Sequence, residues 1–250
     1  MSANGTLPEV VDRCIREFAD AAQAAFATDL ISVVLYGSAA EGRLRATSDV
    51  NVLLVLKRFD QAAADRLREP LRMARAAVQM HVMFLLESEL PTAMEAFAVK
   101  FADISARHRI IAGADPFAGL NPSHDALVRR LKQVLLNLQL RLRERYVLVS
   151  LREEQLALAV AEAAGPLRSS AASLLHLEGV ITPMPPKEAL EHVVKALGEP
   201  ALVAALPDMS TARETGELSP GRAAPAMLAL IEITRRLRER AERLPSGLRA

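Results

Sequence analysis

Two neighbouring stretches decide the fold of this chain: VVLYGSAAEG at residues 33–42 and SDVNVLLV at residues 48–55. The first stretch predicts the end of an apolar strand, a Gly-Ser turn and one short helix that ends at Gly42. The second begins with an acid and continues as a strand that is apolar on both faces. Such a strand is typical of the centre of a sheet that is covered on each side.

Gly37 and Ser38 have the chemistry of a phosphate-binding turn. A glycine after a buried strand lets the backbone approach a ligand closely. A serine hydroxyl and the free amides at a helix start can hold phosphate oxygens. A lone Gly-Ser pair is uninformative, but here a strand precedes it and the acid Asp49 follows at the start of the next strand. We therefore predict that Gly37 and Ser38 contact phosphate.

Asp49 and Asn51 lie two residues apart on a predicted strand, so their side chains point to the same face. Two carboxylates in this arrangement can bind a pair of divalent cations that hold a triphosphate. Asn51 instead supplies a neutral oxygen, which can bind a hard cation but cannot offset its charge. We predict a Mg²⁺ or Mn²⁺ site at Asp49 and Asn51 that is weakened by at least about 10–100-fold.

A third carboxylate from the next strand is missing from the sequence, because residues 71–86 contain no Asp or Glu. Gln79 or His81 occupies the expected position. His81 is either a metal ligand or, in the favoured interpretation, a hydrogen-bonding side chain at the sheet face. Glu87 and Glu89 are either candidate general bases or, again favoured, acids in the first turn of a helix.

Bulk composition narrows the functional class. The chain has 250 residues, 31 basic and 30 acidic, and 4% aromatic residues, so neither charge nor stacking surfaces indicate a nucleic-acid binder. No apolar run is long enough to span a membrane. The lone Cys14 is predicted to be a buried, inert thiol. We expect a cytoplasmic protein with no membrane partner.

The pattern of the whole chain predicts an α+β fold, with a small mixed β-sheet domain flanked by helices at residues 1–120 and an all-helical domain at 121–250. The first domain has predicted strands at 30–36, 49–56 and 78–86. Its first helix begins with a capping box at Thr6, and its second, 60–77, is capped by Asp60 and interrupted near Pro70. A short helix is predicted from Ser88. The second has predicted helices at 127–151, 152–178, 186–197 and 223–243 and a loop at 207–222.

The helix predicted at 127–151 is rich in Leu and Arg. Its basic residues either hold triphosphate or form a solvated face balanced by acids, and the second interpretation is favoured. The Leu-rich helices at 127–178 could also serve a homodimer.

Gly37-Ser38-x-Ala40-x-Gly42 followed by Ser48-Asp49-x-Asn51 resembles the signature of the nucleotidyltransferase superfamily related to polymerase beta. The order of elements is similar to bacterial aminoglycoside (kanamycin-type) nucleotidyltransferases, in which a helical domain helps to build the acceptor site. The segment 101–116 resembles a recurring linker of such proteins. The resemblance implies phosphate contacts at Gly37, Ser38 and Ser48 and a metal ligand at Asp49.

Three functional hypotheses follow. The first is an active enzyme that transfers a nucleoside monophosphate from a nucleoside triphosphate to a small-molecule hydroxyl. The second is a catalytically inactive relative that binds nucleotide, a protein partner or nothing, as the Asn51 substitution and the missing third acid suggest. The third, disfavoured because the helical half is on the same chain, is an antitoxin-like module that pairs with a helical protein.

Overall fold

The computed structural model describes residues 7–44, 48–180 and 184–245. Two compact units are present. The first comprises residues 1–96 with 100–121, and the second comprises residues 97–99 with 122–250. A mixed sheet with helices forms the first unit and helices form the described part of the second, so the predicted α+β class is confirmed.

The sheet has the strand order β3-β2-β1-β4. β1 (Leu30–Tyr36) pairs antiparallel with both β2 (Val50–Leu56) and β4 (His108–Gly113), whereas β2 pairs parallel with β3 (Met80–Leu86). The parallel connection from β2 to β3 runs through a helix, as parallel strands require. β1 and β2 are therefore the central strands, which confirms the predicted central position of β2.

The helices of this part of the chain are α1 (Glu9–Phe26), α2 (Gln61–Val78), α3 (Leu90–Ala96) and α4 (Ala98–Ala106). The carboxylate of Asp60 accepts a hydrogen bond from the Ala63 amide at 2.9 Å, which confirms the predicted cap of α2. The sequence predicts a kink or a break near Pro70, and the break is wrong because α2 continues through this residue. Thr6, the predicted first cap, lies outside the described residues.

Each face of the central strands is covered by its own core. On one face, Val33, Leu35 and Leu54 are buried with side chains of α1 and α2. On the other face, Val34 and Leu53 are buried with α3, α4 and Phe117. Because neighbouring residues of a strand point to opposite faces, this double burial explains why both strands are continuously apolar.

The second unit contains α5 (His124–Val149), α6 (Glu153–Leu177), α7 (Pro186–Ala196), α8 (Pro200–Thr215) and α9 (Ala223–Glu242). A common core joins them, with Leu131, Val160 and Leu230 all fully buried. Within the described ranges, no helix is both long and apolar enough to cross a bilayer.

Two regions differ from the sequence predictions. The predicted loop at 207–222 is wrong for its first half, because α8 continues through Pro207 to Thr215. Burial of Leu206 and Met209 on either side of the proline offsets its poor helix propensity. The segment 101–116, likened to a linker, instead contains the end of α4 and the whole edge strand β4.

Cys14 is only partly buried, so the prediction of a buried thiol is wrong in degree. Its side chain packs at the margin of the core formed with α1 and α2. Desolvation, followed by the charge of Glu17, raises the pKa of this thiol, and a raised pKa reduces the reactive thiolate fraction.

Replacing Leu53 by alanine tests the core between β2 and α4. Leu53 is fully buried, so Leu53→Ala should reduce the free energy of unfolding by about 2–5 kcal/mol through lost burial and a residual cavity. Urea denaturation followed by circular dichroism measures the change. Met73→Ala, at an exposed position of α2, is the control and should change stability little. Equal losses in the two variants would contradict the assigned core.

Candidate functional site

The pairing of β1 with β2 brings the predicted site residues to one end of the sheet. Tyr36, the last residue of β1, lies opposite Asn51, near the start of β2. The connection between these strands begins at Gly37 and ends at Asp49. The Gly-Ser turn and the acid therefore flank the same end of the same strand pair.

At this end of the sheet, each of the four strands contributes one polar side chain to a continuous line across the strands. His81 lies opposite Asn51, and His108 lies opposite Tyr36. Directly paired residues share a face of a sheet, so His81, Asn51, Tyr36 and His108 form one row. We call these four residues the polar row. Because alternate residues of a strand share a face, Asp49 is directed to the same side.

Asp49 and His81 are the close pair of this group. Oδ1 of Asp49 is 3.7 Å from Nε2 of His81, and about half of each side chain is exposed. Nδ2 of Asn51 lies 3.5 Å from the carbonyl oxygen of Asp49, a long contact. The sequence-predicted metal residues Asp49, Asn51 and His81 are thus neighbours with solvent access. The contact with Asp49 favours the interpretation of His81 as a polar partner at the sheet face.

The turn after β1 is not the short helix predicted from the sequence. The amides of Ala40 and Gly42 donate to the carbonyls of Gly37 and Ala39, both at 3.1 Å, and Arg43 closes the loop onto Ser38 at 2.9 Å. Gly37 has a φ of +77°, a conformation that breaks a helix and favours glycine.

The turn leaves two consecutive amides without a backbone acceptor. Within the described part of the loop, the amides of Ser38 and Ala39 donate to no backbone carbonyl. Consecutive amides beside a residue with positive φ form the concave arrangement that binds anions in many proteins. A Cβ on Gly37 would meet no atom of the described residues within 4 Å, so these residues leave space beside the turn.

Arg107 anchors this turn, and sequence reasoning missed it. Its carbonyl accepts a hydrogen bond from the Gly37 amide at 3.2 Å. Its guanidinium donates to Glu41 at 3.0 Å, within the turn, and to Asp103 at 3.0 Å, on α4. Burial lowers the pKa of this guanidinium, but the contacts with Asp103 and Glu41 outweigh burial and raise the pKa overall. Both the backbone and the side chain of Arg107 therefore hold the turn in place.

Tyr36 and His108 form the more buried half of the polar row. Burial raises the pKa of the Tyr36 hydroxyl. Nδ1 of His108 lies 3.0 Å from the Ser105 carbonyl, and Nε2 lies 3.5 Å from Asp115. The His108 ring also meets the Phe117 ring edge to face. Sequence spacing gave no signal for either residue, because their proximity to Asn51 arises from strand pairing.

Specific contacts distinguish between the alternative roles that the sequence left open for Glu89 and for the basic residues of α5. Glu89 accepts a hydrogen bond from the Leu86 amide at 2.9 Å, which confirms the favoured interpretation of a helix-start acid. On α5, Lys132 pairs with Glu242 and Arg145 with Glu162, as expected for basic residues balanced by acids. Ser48, a predicted phosphate contact, directly precedes Asp49 and is partly buried.

The donor set suits one hard cation better than two. In the described ranges, no three His, Cys, Asp or Glu side chains lie close enough to hold a metal ion. Asp49 supplies one carboxylate and Asn51 one amide oxygen. Mg²⁺ is commonly bound by one or two carboxylates together with substrate phosphates, so these residues fit one ion that arrives with a nucleotide. A second ion lacks a protein carboxylate.

Comparison with known proteins shows the fold class. No family model and no curated protein matches the sequence. The structure is similar to that of spectinomycin adenyltransferase AAD(9) from Enterococcus faecialis, solved with ATP and spectinomycin. The TM-score is 0.63 at 11% sequence identity, over 90% of this chain and 98% of that chain. The chain therefore has a nucleotidyltransferase fold.

The Arg107 anchor yields a stability prediction. Arg107→Met should lower the free energy of unfolding by about 1–3 kcal/mol, because Asp103 and Glu41 would remain partly buried without their cation. Thermal and urea unfolding measure the loss. The control Arg68→Met removes an exposed ion pair with Asp65 and should have little effect. An Arg107→Met protein as stable as that control would contradict the anchoring role.

Proposed function

We propose that this chain transfers a nucleoside monophosphate from a nucleoside triphosphate, such as ATP, to the hydroxyl of a small molecule. One observation carries the proposal: an open Gly37-Ser38 turn and an exposed Asp49 flank one end of a strand pair in a nucleotidyltransferase fold. The similar structure was solved with ATP and spectinomycin, which supports a nucleoside triphosphate and a small molecule as the two substrates.

The turn supplies the phosphate contacts in this proposal. The amides of Ser38 and Ala39 and the Ser38 hydroxyl would donate to phosphate oxygens. The positive φ of Gly37 lets the chain reverse sharply, and the Arg107 contacts keep the reversed chain in place. Ser48, at the other end of the connection, is the third proposed phosphate contact.

Asp49, with Asn51 beside it, would hold one Mg²⁺ or Mn²⁺ that enters with the triphosphate. Such an ion would neutralise negative charge on the phosphate group that is transferred. His81 remains a proposed additional ligand. Its nitrogen suits Mn²⁺ and softer metals better than Mg²⁺, which prefers oxygen.

The proposed reaction is a displacement at the α-phosphorus. A bond forms between the acceptor hydroxyl oxygen and this phosphorus, and the bond from phosphorus to the bridging oxygen of pyrophosphate breaks. The hydroxyl proton passes to a base. Asp49 and His81 are titratable groups that the structure places beside Asn51, so they are the candidate proton acceptors.

A specific observation favours a second candidate, a catalytically inactive module that binds nucleotide or a protein. Asn51 and His81 occupy register positions directly opposite each other on β2 and β3. Two-metal catalysis would favour carboxylates at such positions. The two candidates differ in product formation: only the first releases pyrophosphate in the presence of an acceptor.

Nucleotide binding is the first test. The four nucleoside triphosphates, each at about 1 mM with Mg²⁺ or Mn²⁺, should raise the melting temperature, because a ligand at 100 times its Kd adds about 2.7 kcal/mol to stability. Asp49→Asn should reduce the metal-dependent part of the shift. Asp65→Asn, on α2, is the matched control and should retain it. Absence of any nucleotide-dependent shift would contradict the transfer proposal and the nucleotide-binding form of the second candidate.

Restoring acids tests the assignment of the metal site. Asn51→Asp combined with His81→Asp should tighten Mn²⁺ binding in the presence of nucleotide by about 10–100-fold, since two anionic oxygens replace neutral donors. Isothermal titration calorimetry measures the change. Asn51→Ser, which supplies no anion, is the control and should give no gain. Unchanged affinity in the double variant would show that these positions do not form a metal site.

A further inference from the structure

Lys100 of α4 places a positive charge on the face of the sheet that carries the polar row. Phe101 and Ile104, two apolar residues of the same helix, are buried against this face together with Leu53. Nζ of Lys100 lies 3.8 Å from Sδ of Met83 in the edge strand β3. The ammonium group therefore lies over the sheet, on the side of the strands β2 and β3.

The contact with Met83 places Lys100 near the proposed metal position. Met83 follows His81 by two residues, and its partner Leu53 follows Asn51 by two residues. Because alternate residues of a strand share a face, Met83 and Leu53 lie on the same face as the polar row. Two residues of a strand span about 6.6 Å, a distance that a phosphate chain extending from Asn51 can bridge.

The side of α4 that carries Lys100 also faces the turn that begins at Gly37. Lys100 precedes Arg107 by seven residues, and at about 100° per residue the two side chains project within about 20° of each other. The Arg107 amide donates to the Asp103 carbonyl at 3.1 Å, so the helical path extends to this residue. The Arg107 guanidinium contacts Glu41 within the turn. Lys100 therefore projects from the side of α4 that meets the turn.

The ammonium group of Lys100 is available for an anion. Its contact with Met83 is weak, because a thioether sulfur is a weak acceptor and an ammonium group carries three donors. Asp103, the acid three residues further along α4, is bound by the Arg107 guanidinium. Among residues 7–44, 48–180 and 184–245, Lys100 forms no ion pair, and its side chain is exposed. A phosphate oxygen would provide the charge-assisted hydrogen bond that these neighbours do not provide.

We infer, on the basis of the proposed nucleotidyl transfer, that Lys100 binds the triphosphate and supplies positive charge that a second metal ion would otherwise provide. Asp49 and Asn51 fit one divalent ion, because only one of them is a carboxylate. A triphosphate with one divalent ion still carries net negative charge. An ammonium group neutralises part of this charge and needs no carboxylate ligand of its own.

Lys100 acts on the phosphates that leave as pyrophosphate. When the acceptor oxygen bonds to the α-phosphorus, the bond from phosphorus to the bridging oxygen breaks, and its electron pair stays on pyrophosphate. Lys100 donates hydrogen bonds to β- or γ-phosphate oxygens and stabilises this growing negative charge. The ammonium group keeps its proton throughout, and the acceptor proton passes to a separate base.

Isothermal titration calorimetry with ATP and with inorganic tripolyphosphate, each in Mg²⁺, tests this contact. Lys100→Met should weaken the binding of both by at least about 10-fold, because a hydrogen bond between charged groups is lost. AMP, which lacks the β- and γ-phosphates, should lose much less affinity. The control Lys57→Met removes an exposed lysine beyond the opposite end of β2 and should bind as the wild type does.

Conservative variants separate the charge of Lys100 from its packing. Lys100→Arg should retain most of the ATP affinity because it keeps the charge, whereas Lys100→Gln should behave like Lys100→Met. Raising NaCl from about 50 mM to about 500 mM should reduce the difference between the wild type and Lys100→Gln, since salt screens an exposed charge contact. All variants should melt within about 2 °C of the wild type, because this position is exposed.

The outcomes separate the role of Lys100 from the proposed function itself. ATP binding by the wild type that Lys100→Met leaves unchanged would overturn the role of Lys100 and leave nucleotidyl transfer standing. Equal losses in Lys100→Met and Lys57→Met would also overturn this role, since net charge alone would then explain the effect. A wild-type chain that binds neither ATP nor tripolyphosphate would overturn both.

Discussion

The antiparallel pairing of β1 with β2 determines where every residue of the candidate site lies. A shift of one residue in their register would turn Asn51 to the opposite face of the sheet, away from Tyr36. This register fixes Tyr36 opposite Asn51. It also brings both ends of the 37–49 connection to one end of the strand pair, so the turn at Gly37 and the carboxylate of Asp49 flank the same strands.

The second consequence of this pairing is electrostatic. A cluster of three carboxylates would repel a triphosphate until divalent ions neutralised it. Here Asp49 is accompanied by the neutral Asn51 amide and by His81, whose ring can carry positive charge near the Asp49 carboxylate. In the proposed site, less negative charge would face a nucleotide, so nucleotide binding would depend less on metal. The same change would remove charge neutralisation from the transferred group, and this would slow the reaction more than it would weaken binding.

The sequence predicted the strands β1 and β2, the turn that begins at Gly37 and Ser38, and most helices, because these depend on local patterns. It did not reveal Arg107, which contacts Glu41 across 66 positions of the chain. Nor did it reveal β4, since His108 and Arg109 at its start conceal the apolar pattern of an edge strand. The turn at 37–42 resembled a helix start because alanines favour helix, but two glycines with positive φ terminate that conformation. Long-range pairing, rather than propensity, determined each of these outcomes.

The Arg107 contacts connect the turn that begins at Gly37 with the start of the edge strand β4. The strand β4 begins immediately after Arg107, and its first residue, His108, completes the polar row. The Arg107 carbonyl and guanidinium hold the turn that begins at Gly37. Edge-strand pairing and turn geometry are therefore coupled through one residue. A displacement of β4 along β1 would move His108 away from Tyr36 and would also break the contact of Arg107 with Glu41. The turn at Gly37 therefore keeps its shape only while the edge strand is paired.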